Sequence, residues 1–317
     1  MKIMVWHVHG SWTTSFVHGE HEYLVPLTPD RGPDGRGRAA TYPWPAGARE
    51  VPYDRLAAED VDVVVYQRPH EIDLAREWLG REVPGVYVEH NTPAGDVPRT
   101  RHPLAGRDDI PVVHVTHFND LFWDCGSAPT HVIEHGVVDP GYLYTGELAR
   151  AGVVVNEPIR RWRVAGTDLL PTFAATAPLD VFGMQVTNLP SKLGLDREME
   201  TFEDLPQAAM HAELARRRVY LHPYRWTSLG LSLIEAMMIG MPIVALATTE
   251  AVEAVPPEAG IVSTKLPTLL RALDRFAAEP ELAVQAGKAA RAAALARYNL
   301  DRFLADWDRL LTSIVPK

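Results

Sequence analysis

Cysteine is almost missing from this chain. Cys125 is the only one in 317 residues, so no intramolecular disulfide can form and a packed core has to hold the fold. A lone thiol fits a reducing compartment, and a cytoplasmic address is expected. Long apolar runs are missing too. No stretch reaches the roughly 18 consecutive apolar residues of a membrane-spanning helix. The opening MKIMVWHVHGSW is interrupted by His7 and His9 and lacks the apolar centre of a signal peptide. No integral membrane segment is therefore expected. Positive charge is not in excess: 31 Lys plus Arg against 41 Asp plus Glu leave a net charge of −10. That balance argues against a chain built to grip nucleic acid, although it leaves room for local basic clusters.

What is present suits a globular protein. Apolar residues make up 46% and charged residues 23% of the chain, and at roughly 100 to 200 residues per domain the length suggests two domains. Short runs rich in β-branched residues recur at Ile3 to Val8, Val61 to Tyr66, Val86 to Val88, Val112 to Val115 and His131 to Ile133. They recur again at Val153 to Val155, Leu179 to Phe182, Val219 to Leu221, Ile243 to Leu246 and Ile261 to Val262. These read as two sets of buried parallel strands, about five each. Helix-patterned stretches alternate with them at Asp73 to Leu79, Thr167 to Ala175, Ala208 to Arg217, Leu229 to Ile239 and Thr268 to Ala278. The alternation predicts an α/β fold with doubly wound sheets. Gly and Pro cluster in HGVVDPGYLYTGELARAG, which puts the boundary there: residues 1–145 form a first Rossmann-like domain and 146–298 a second. Pro26 to Pro52, rich in Pro, Gly and Arg, reads as a long surface excursion. Ligands of such sheets bind beyond the carboxyl ends of the strands.

The stretch LHPYRWTSLGLSLIEAMMIGMPIVALA, Leu221 to Ala247, is the most informative. A strand runs into a loop, and a helix is predicted from about Ser228 or Leu229, capped by Ser228 or Thr227. Gly240 falls where a left-handed terminator belongs, and Pro242 blocks continuation. The free amides at the start of such a helix seat a phosphate or a sugar oxygen. Glu235 sits among apolar neighbours about two turns in, so its carboxylate is either surface-exposed or directed at a ligand.

These residues resemble the retaining glycosyltransferases of glycosyltransferase family 4, which have the GT-B fold of two Rossmann-like domains facing a cleft. The family pattern P-S-x-x-E-G-F-G-L-x-x-x-E-A-M-A-x-G-x-P-V-V-A is met by Pro223, Gly230, Leu231, Glu235-Ala236-Met237, Gly240, Pro242 and Ile243-Val244-Ala245. EHGVVDPG at Glu134 resembles the family segment N-G-V-D-P, with His135 in place of Asn. TTEAVEAV before AGIVS matches G-G-x-x-E-x-V, with Glu253 at the acidic position. YNLDRFLADWDRLL resembles the terminal helix, about 299–317, that crosses back to the first domain.

The resemblance implies transfer of a sugar from a nucleoside-diphosphate donor to an acceptor hydroxyl, with retention at the anomeric carbon. It also implies that no cofactor or metal is required, because the leaving phosphate helps deprotonate the acceptor. The second domain would bind the nucleotide sugar and the first would lie on the acceptor side. Glu235 would bind the nucleotide ribose, since a carboxylate accepts from both vicinal hydroxyls. Thr227 stands where the family has the first Glu of its pair, at the donor sugar, and would either bind a different sugar or mark reduced activity. Eight helical residues span roughly 12 Å, the scale of a donor from sugar to ribose. Ser228, Leu229 and Gly230 complete the loop. Glu157 occupies the family's Arg position, leaving two of Arg160, Arg161 and Arg163 to contact diphosphate, or all three to form a solvated basic face. His90, after a first-domain strand, meets a sugar hydroxyl, supports leaving-group charge, or satisfies loop backbone. Gly10, in HGSW, serves a phosphate or acceptor loop or an ordinary turn.

Two alternatives stay open. His7 and His9, with His18 and His21 nearby, have the look of metal ligands in a hydrolase. Thr227 is also compatible with a non-catalytic sugar-nucleotide-binding protein of the same fold. Whether the chain forms a homodimer is left open.

Overall fold

The computed structural model describes residues Met1–Val315. In chain order its elements are β1 (Lys2–Val5), α1 (Gly10–Phe16), β2 (Glu22–Leu27), β3 (Ala48–Pro52), β4 (Val63–Tyr66), α2 (Glu71–Leu79), β5 (Gly85–Glu89), β6 (Val112–His114), α3 (His117–Phe122) and β7 (Thr130–Val132). There follow β8 (Leu148–Val154), α4 (Pro158–Ala165), α5 (Leu170–Ala174), β9 (Leu179–Gly183), α6 (Leu189–Leu193), β10 (Met199–Glu203), α7 (Gln207–Leu214), β11 (Arg217–His222) and α8 (Leu231–Ile239). The chain ends in β12 (Ile243–Leu246), α9 (Ala251–Ala254), β13 (Gly260–Ser263), α10 (Leu266–Ala278), α11 (Pro280–Arg297) and α12 (Leu300–Ile314). It divides into two compact units, Met1–Val138 together with the chain from Leu300, and Asp139–Asn299.

Unit 1 holds a seven-stranded sheet in the order β3-β2-β1-β4-β5-β6-β7, and every pairing is parallel. The strand order reverses between β1 and β4, which opens a crevice at their carboxyl ends. Val63, Val64 and Val65 are fully buried, as expected of a central strand covered on both faces. Helix α12 returns to this unit through an apolar stripe. Phe303 and Trp307 are buried, and the Trp307 ring lies 5.7 Å from Trp12 and 5.1 Å from Phe16, edge to face in both cases. The last two residues of the predicted terminal helix, Pro316 and Lys317, lie outside the described residues.

Unit 2 repeats the plan with six parallel strands, β10-β9-β8-β11-β12-β13, and its order reverses between β8 and β11. Asp180 on β9 is fully buried. It is held by Arg217, whose Nε donates at 2.6 Å and whose guanidinium lies over the Phe202 ring at 4.6 Å, and by Arg150, whose Nε donates at 2.7 Å. Two bidding cations and an aromatic face keep that buried charge satisfied.

Three strands go beyond the ten expected. Strands β2 and β3 bracket the Pro26 to Pro52 region, so the excursion proper is the loop between them. Arg38 gathers it by donating to the Trp44 carbonyl at 2.7 Å, and Trp44 Nε1 donates to Thr14 Oγ1 at 2.8 Å. Strand β10 lies at a sheet edge with only Met199 buried and Glu200 and Glu203 exposed, which hides it from a search for continuous apolar runs. The helix expected from Ser228 or Leu229 starts at Leu231, after Gly230, with no side-chain cap. Ser228 is buried and its carbonyl accepts from Glu250 N at 3.4 Å, which keeps it in the loop. Gly240 terminates α8 in the left-handed region at φ 99°.

Candidate functional site

In unit 2 the candidate residues collect at the carboxyl ends of β8 and β11, where the order of strands reverses. Strand β11 ends at His222, which is 1% exposed, and its ring lies 4.7 Å from Tyr224. Burial, with Arg161 adding to it, pushes His222 down to about 3, so the ring is neutral. A Cβ on Gly230 would stand 2.7 Å from His222 Cε1. Glycine is therefore needed there because imidazole and backbone approach too closely for a side chain. Directly after it, α8 presents an amide end with no side-chain cap and no acid in its first turn, a place suited to an anion.

The three arginines diverge. Arg160 Nε donates to Glu157 at 2.8 Å, and Arg163 pairs with Asp168 at 3.2 Å. Arg161 instead lies over the Tyr224 ring, 5.2 Å from its centroid. The chain breaks from helical geometry at Trp162, φ 26° and ψ −100°, between the two arginines that part company. Such a conformation costs about 1–3 kcal/mol and persists only where the surroundings enforce it. Of the three cations, Arg161 is thus the one placed beside His222, and the other two already hold carboxylates.

Because α8 begins at Leu231, Glu235 sits one turn in rather than two. It is 3% exposed, so of the two environments expected for it the surface is excluded. Its Oε1 accepts from Gln207 Nε2 at 3.0 Å, and its Oε2 lies 3.5 Å from His211 Nε2, too long for a good hydrogen bond. Gln207 and His211 are four apart on α7 and so share a face. Neither was singled out from the sequence; their i, i+4 spacing just before the diagnostic strand was the available signal. Thr227 and Gly230 are half-buried, while Ser228 and Leu229 are buried. Glu253 is exposed on α9, whereas Glu250 is 2% exposed and accepts from Arg297 at 2.9 Å.

In unit 1 His90 follows β5 and is 9% exposed. Its ring lies 4.0 Å from that of His9 and edge-on to Trp12 at 5.0 Å. Burial, reinforced by the neighbouring His9 and His135, holds His90 well below the ordinary imidazole range. Burial likewise takes His9 to about 4 and His135 to about 3. Gly10 opens α1, and a Cβ there would meet the Tyr42 ring at 2.7 Å.

The histidines of the hydrolase reading are not gathered. His7 packs edge-on against Trp44 at 5.0 Å, His18 Nδ1 faces the Thr14 carbonyl at 2.6 Å, and His21 pairs with Asp308 at 2.9 Å. Among the described residues no group of three or more His, Cys, Asp or Glu is placed to hold a metal. Cys125 is buried and its thiol is pushed up to about 11 by burial, so it is not a nucleophile at neutral pH.

Residues 183–293, about a third of the chain, match the family described as glycosyl transferases group 1. That segment includes Gln207, Thr227 and Glu235. No curated protein matches the chain. Among solved structures, sucrose-phosphate synthase from Thermosynechococcus elongatus is similar at TM-score 0.74 and 15% identity, covering 99% of this chain and 98% of that one. HepE of Anabaena, in complex with UDP, gives 0.70 and 15%, with 99% and 100% covered. A glycosyltransferase from Rickettsia africae gives 0.69 and 14%, with 100% and 99% covered. The fold is GT-B, with two parallel-sheet α/β domains.

Proposed function

We propose that this protein is a glycosyltransferase that moves a sugar from a nucleoside-diphosphate donor to an acceptor hydroxyl, with retention at the anomeric carbon. The observation that carries the reading is Glu235. It is a buried carboxylate one turn inside α8, oriented by Gln207, and it lies within the segment that matches glycosyl transferases group 1. UDP and UDP-glucose complexes are known for the similar HepE structure, so uridine nucleotides are the first donors to try.

In this reading unit 2 binds the donor. Glu235 accepts from the ribose hydroxyls, as a carboxylate can from both vicinal hydroxyls. The diphosphate takes the open amides of α8 together with Arg161, whose guanidinium fork matches phosphate oxygens. Arg160 and Arg163, which already hold Glu157 and Asp168, assist only by exchanging those partners. Gly230, Leu229 and Ser228 form the loop against the diphosphate, and Thr227 offers the donor sugar a hydroxyl. Unit 1 is assigned the acceptor side, with Gly10 at the head of α1 and His90 after β5 as its candidate contacts. Catalysis rests on positioning and on stabilising charge at the departing diphosphate, with no resident metal and no general base assigned. A single buried thiol suits a cytoplasmic setting.

A second reading, a sugar-nucleotide-binding protein without transfer, is favoured by Thr227 in place of an acid and by the ion pairs that occupy Arg160 and Arg163. Incubation with radiolabelled nucleotide sugars and a panel of hydroxyl acceptors separates the two. Transfer to any acceptor supports the first, and saturable binding with neither transfer nor hydrolysis supports the second. If no nucleotide sugar binds at all, both fail.

A further inference from the structure

His90 is held from both sides, and the chemistry of its partners determines where its proton is. Gln67 follows β4 at the reversal point of the first sheet and is 3% exposed. Its Nε2 donates to the Trp6 carbonyl at 2.7 Å. A carbonyl only accepts, so the amide nitrogen has to face Trp6 and the amide oxygen has to face the other way. That oxygen lies 3.0 Å from His90 Nε2. Since an amide oxygen also only accepts, His90 Nε2 has to carry the proton. A neutral imidazole has only one, so Nδ1 is left with a lone pair.

The backbone beside the ring is fixed independently. Glu89 Oε1 accepts from Asn91 N at 2.7 Å, and the Glu89 carbonyl accepts from Asn119 Nδ2 at 3.3 Å. Glu89 Oε2 faces His102 Nε2 at 3.0 Å, while His102 Nδ1 accepts from Leu104 N at 3.1 Å. His102 therefore also carries its proton on Nε2 and donates it to Glu89. Besides Gln67, the groups that face the His90 ring are His9, His135 and Trp12, and among the described residues no carboxylate contributes to its electrostatics.

We propose that Gln67 is a positioning residue that locks His90 as the Nε2–H tautomer, so that His90 meets a ligand only as a hydrogen-bond acceptor at Nδ1. Its partner on the ligand is then a donor, a sugar hydroxyl, and not a phosphate or carboxylate oxygen, which would require a proton on Nδ1. The ligand part rests on the glycosyltransferase reading; the tautomer does not.

Two measurements test this. The first is a long-range proton–nitrogen correlation spectrum of histidine-labelled protein without ligand at pH 7, in which the His90 signals are found by their loss in His90→Gln. A single species with protonated Nε2 and bare Nδ1 is expected, and Gln67→Met should bring in the other tautomer. A wild-type His90 protonated on Nδ1 or on both nitrogens overturns the proposal, as does a Gln67→Met spectrum with the tautomer unchanged. Should Gln67→Met not fold, Gln67→Asn, whose shorter amide does not reach both partners, takes its place. The second is calorimetry with UDP-glucose and with UDP. Gln67→Met should weaken UDP-glucose about tenfold and UDP less than twofold. Equal weakening of both means that the pocket takes phosphate, against the hydroxyl assignment. Binding of neither by the wild type removes the functional reading and the hydroxyl with it, and the spectrum still decides the lock.

Discussion

The Gln207 amide on α7 donates at 3.0 Å to Oε1 of Glu235, a carboxylate that is 3% exposed on α8. Two helices that the sequence separates by a strand are thus joined at the acid assigned to the donor. A buried carboxylate keeps its orientation only while its partners do, and loss of a hydrogen bond to a charged group costs about 1.5–3 kcal/mol. Gln207→Leu should therefore weaken UDP-glucose binding about tenfold and lower the melting temperature by a few degrees. Glu235→Ala should weaken binding by more than tenfold with the fold intact. Calorimetry on the two variants checks this, and an unchanged donor affinity in Glu235→Ala would remove the ribose assignment.

Arg161 should matter most among the three arginines after β8. Arg160 and Arg163 are largely exposed and already ion-paired, and exposed pairs contribute roughly 0–1 kcal/mol. Arg161 rests on Tyr224 beside the neutral His222. Arg161→Ala is expected to weaken UDP binding about tenfold or more and to flatten its salt dependence, whereas Arg160→Ala changes it less than threefold. Titrations of UDP at two ionic strengths distinguish the variants, and equal effects at the two positions would contradict the division of roles.

Gly230 is tied to His222 by space alone. Its backbone, at φ −67° and ψ 119°, is open to any residue, so the cost of Gly230→Ala comes from the methyl meeting His222 Cε1. Loss of about 1–3 kcal/mol is expected, as for overpacking elsewhere. In His222→Ala the methyl has room, so Gly230→Ala should cost much less there. A double-mutant cycle of urea midpoints measures the coupling, and strict additivity would show that the contact is not the cause.

How much of this was open to a reader of the sequence depends on how local each feature is. Strand, loop, helix, Gly240 and Pro242 follow one another along the chain, so the stretch around Glu235 could be read directly. Strand β10 could not, because in Met199–Glu203 only Met199 is buried and two glutamates are exposed, so the edge strand reads as a polar turn rather than an apolar run, and β2 was masked by Pro26. The start of α8 was misplaced because Ser228 is a good cap by type, and only its burial beside Glu250 removes it from that role. Gln67, Gln207 and His211 act through residues 23, 28 and 24 positions away. Beyond the i, i+4 spacing of Gln207 and His211, nothing in their own neighbourhoods signals such partners, and the fold brings them together.

Buried neutral histidines set the response to acid. His114 and His9 are pushed down to about 4 and His135 and His222 to about 3, each chiefly by burial. In the unfolded chain these groups take protons below about 6.5. The unfolded state then binds more protons than the folded one, so stability is complete above pH 6.5 and is lost as the pH falls toward 4 and 3. Glu71, whose carboxyl burial pushes up, works in the opposite sense, but it is one group against six, because burial lowers His7 and His90 as well. By pH 5 each buried imidazole contributes a loss on the order of 1–2 kcal/mol. Urea midpoints should therefore fall clearly between pH 7.5 and pH 5.0, and His135→Asn, which removes one of these histidines, should make the decline shallower. A midpoint that stays level across this range would mean that the histidines are not held neutral in the folded protein.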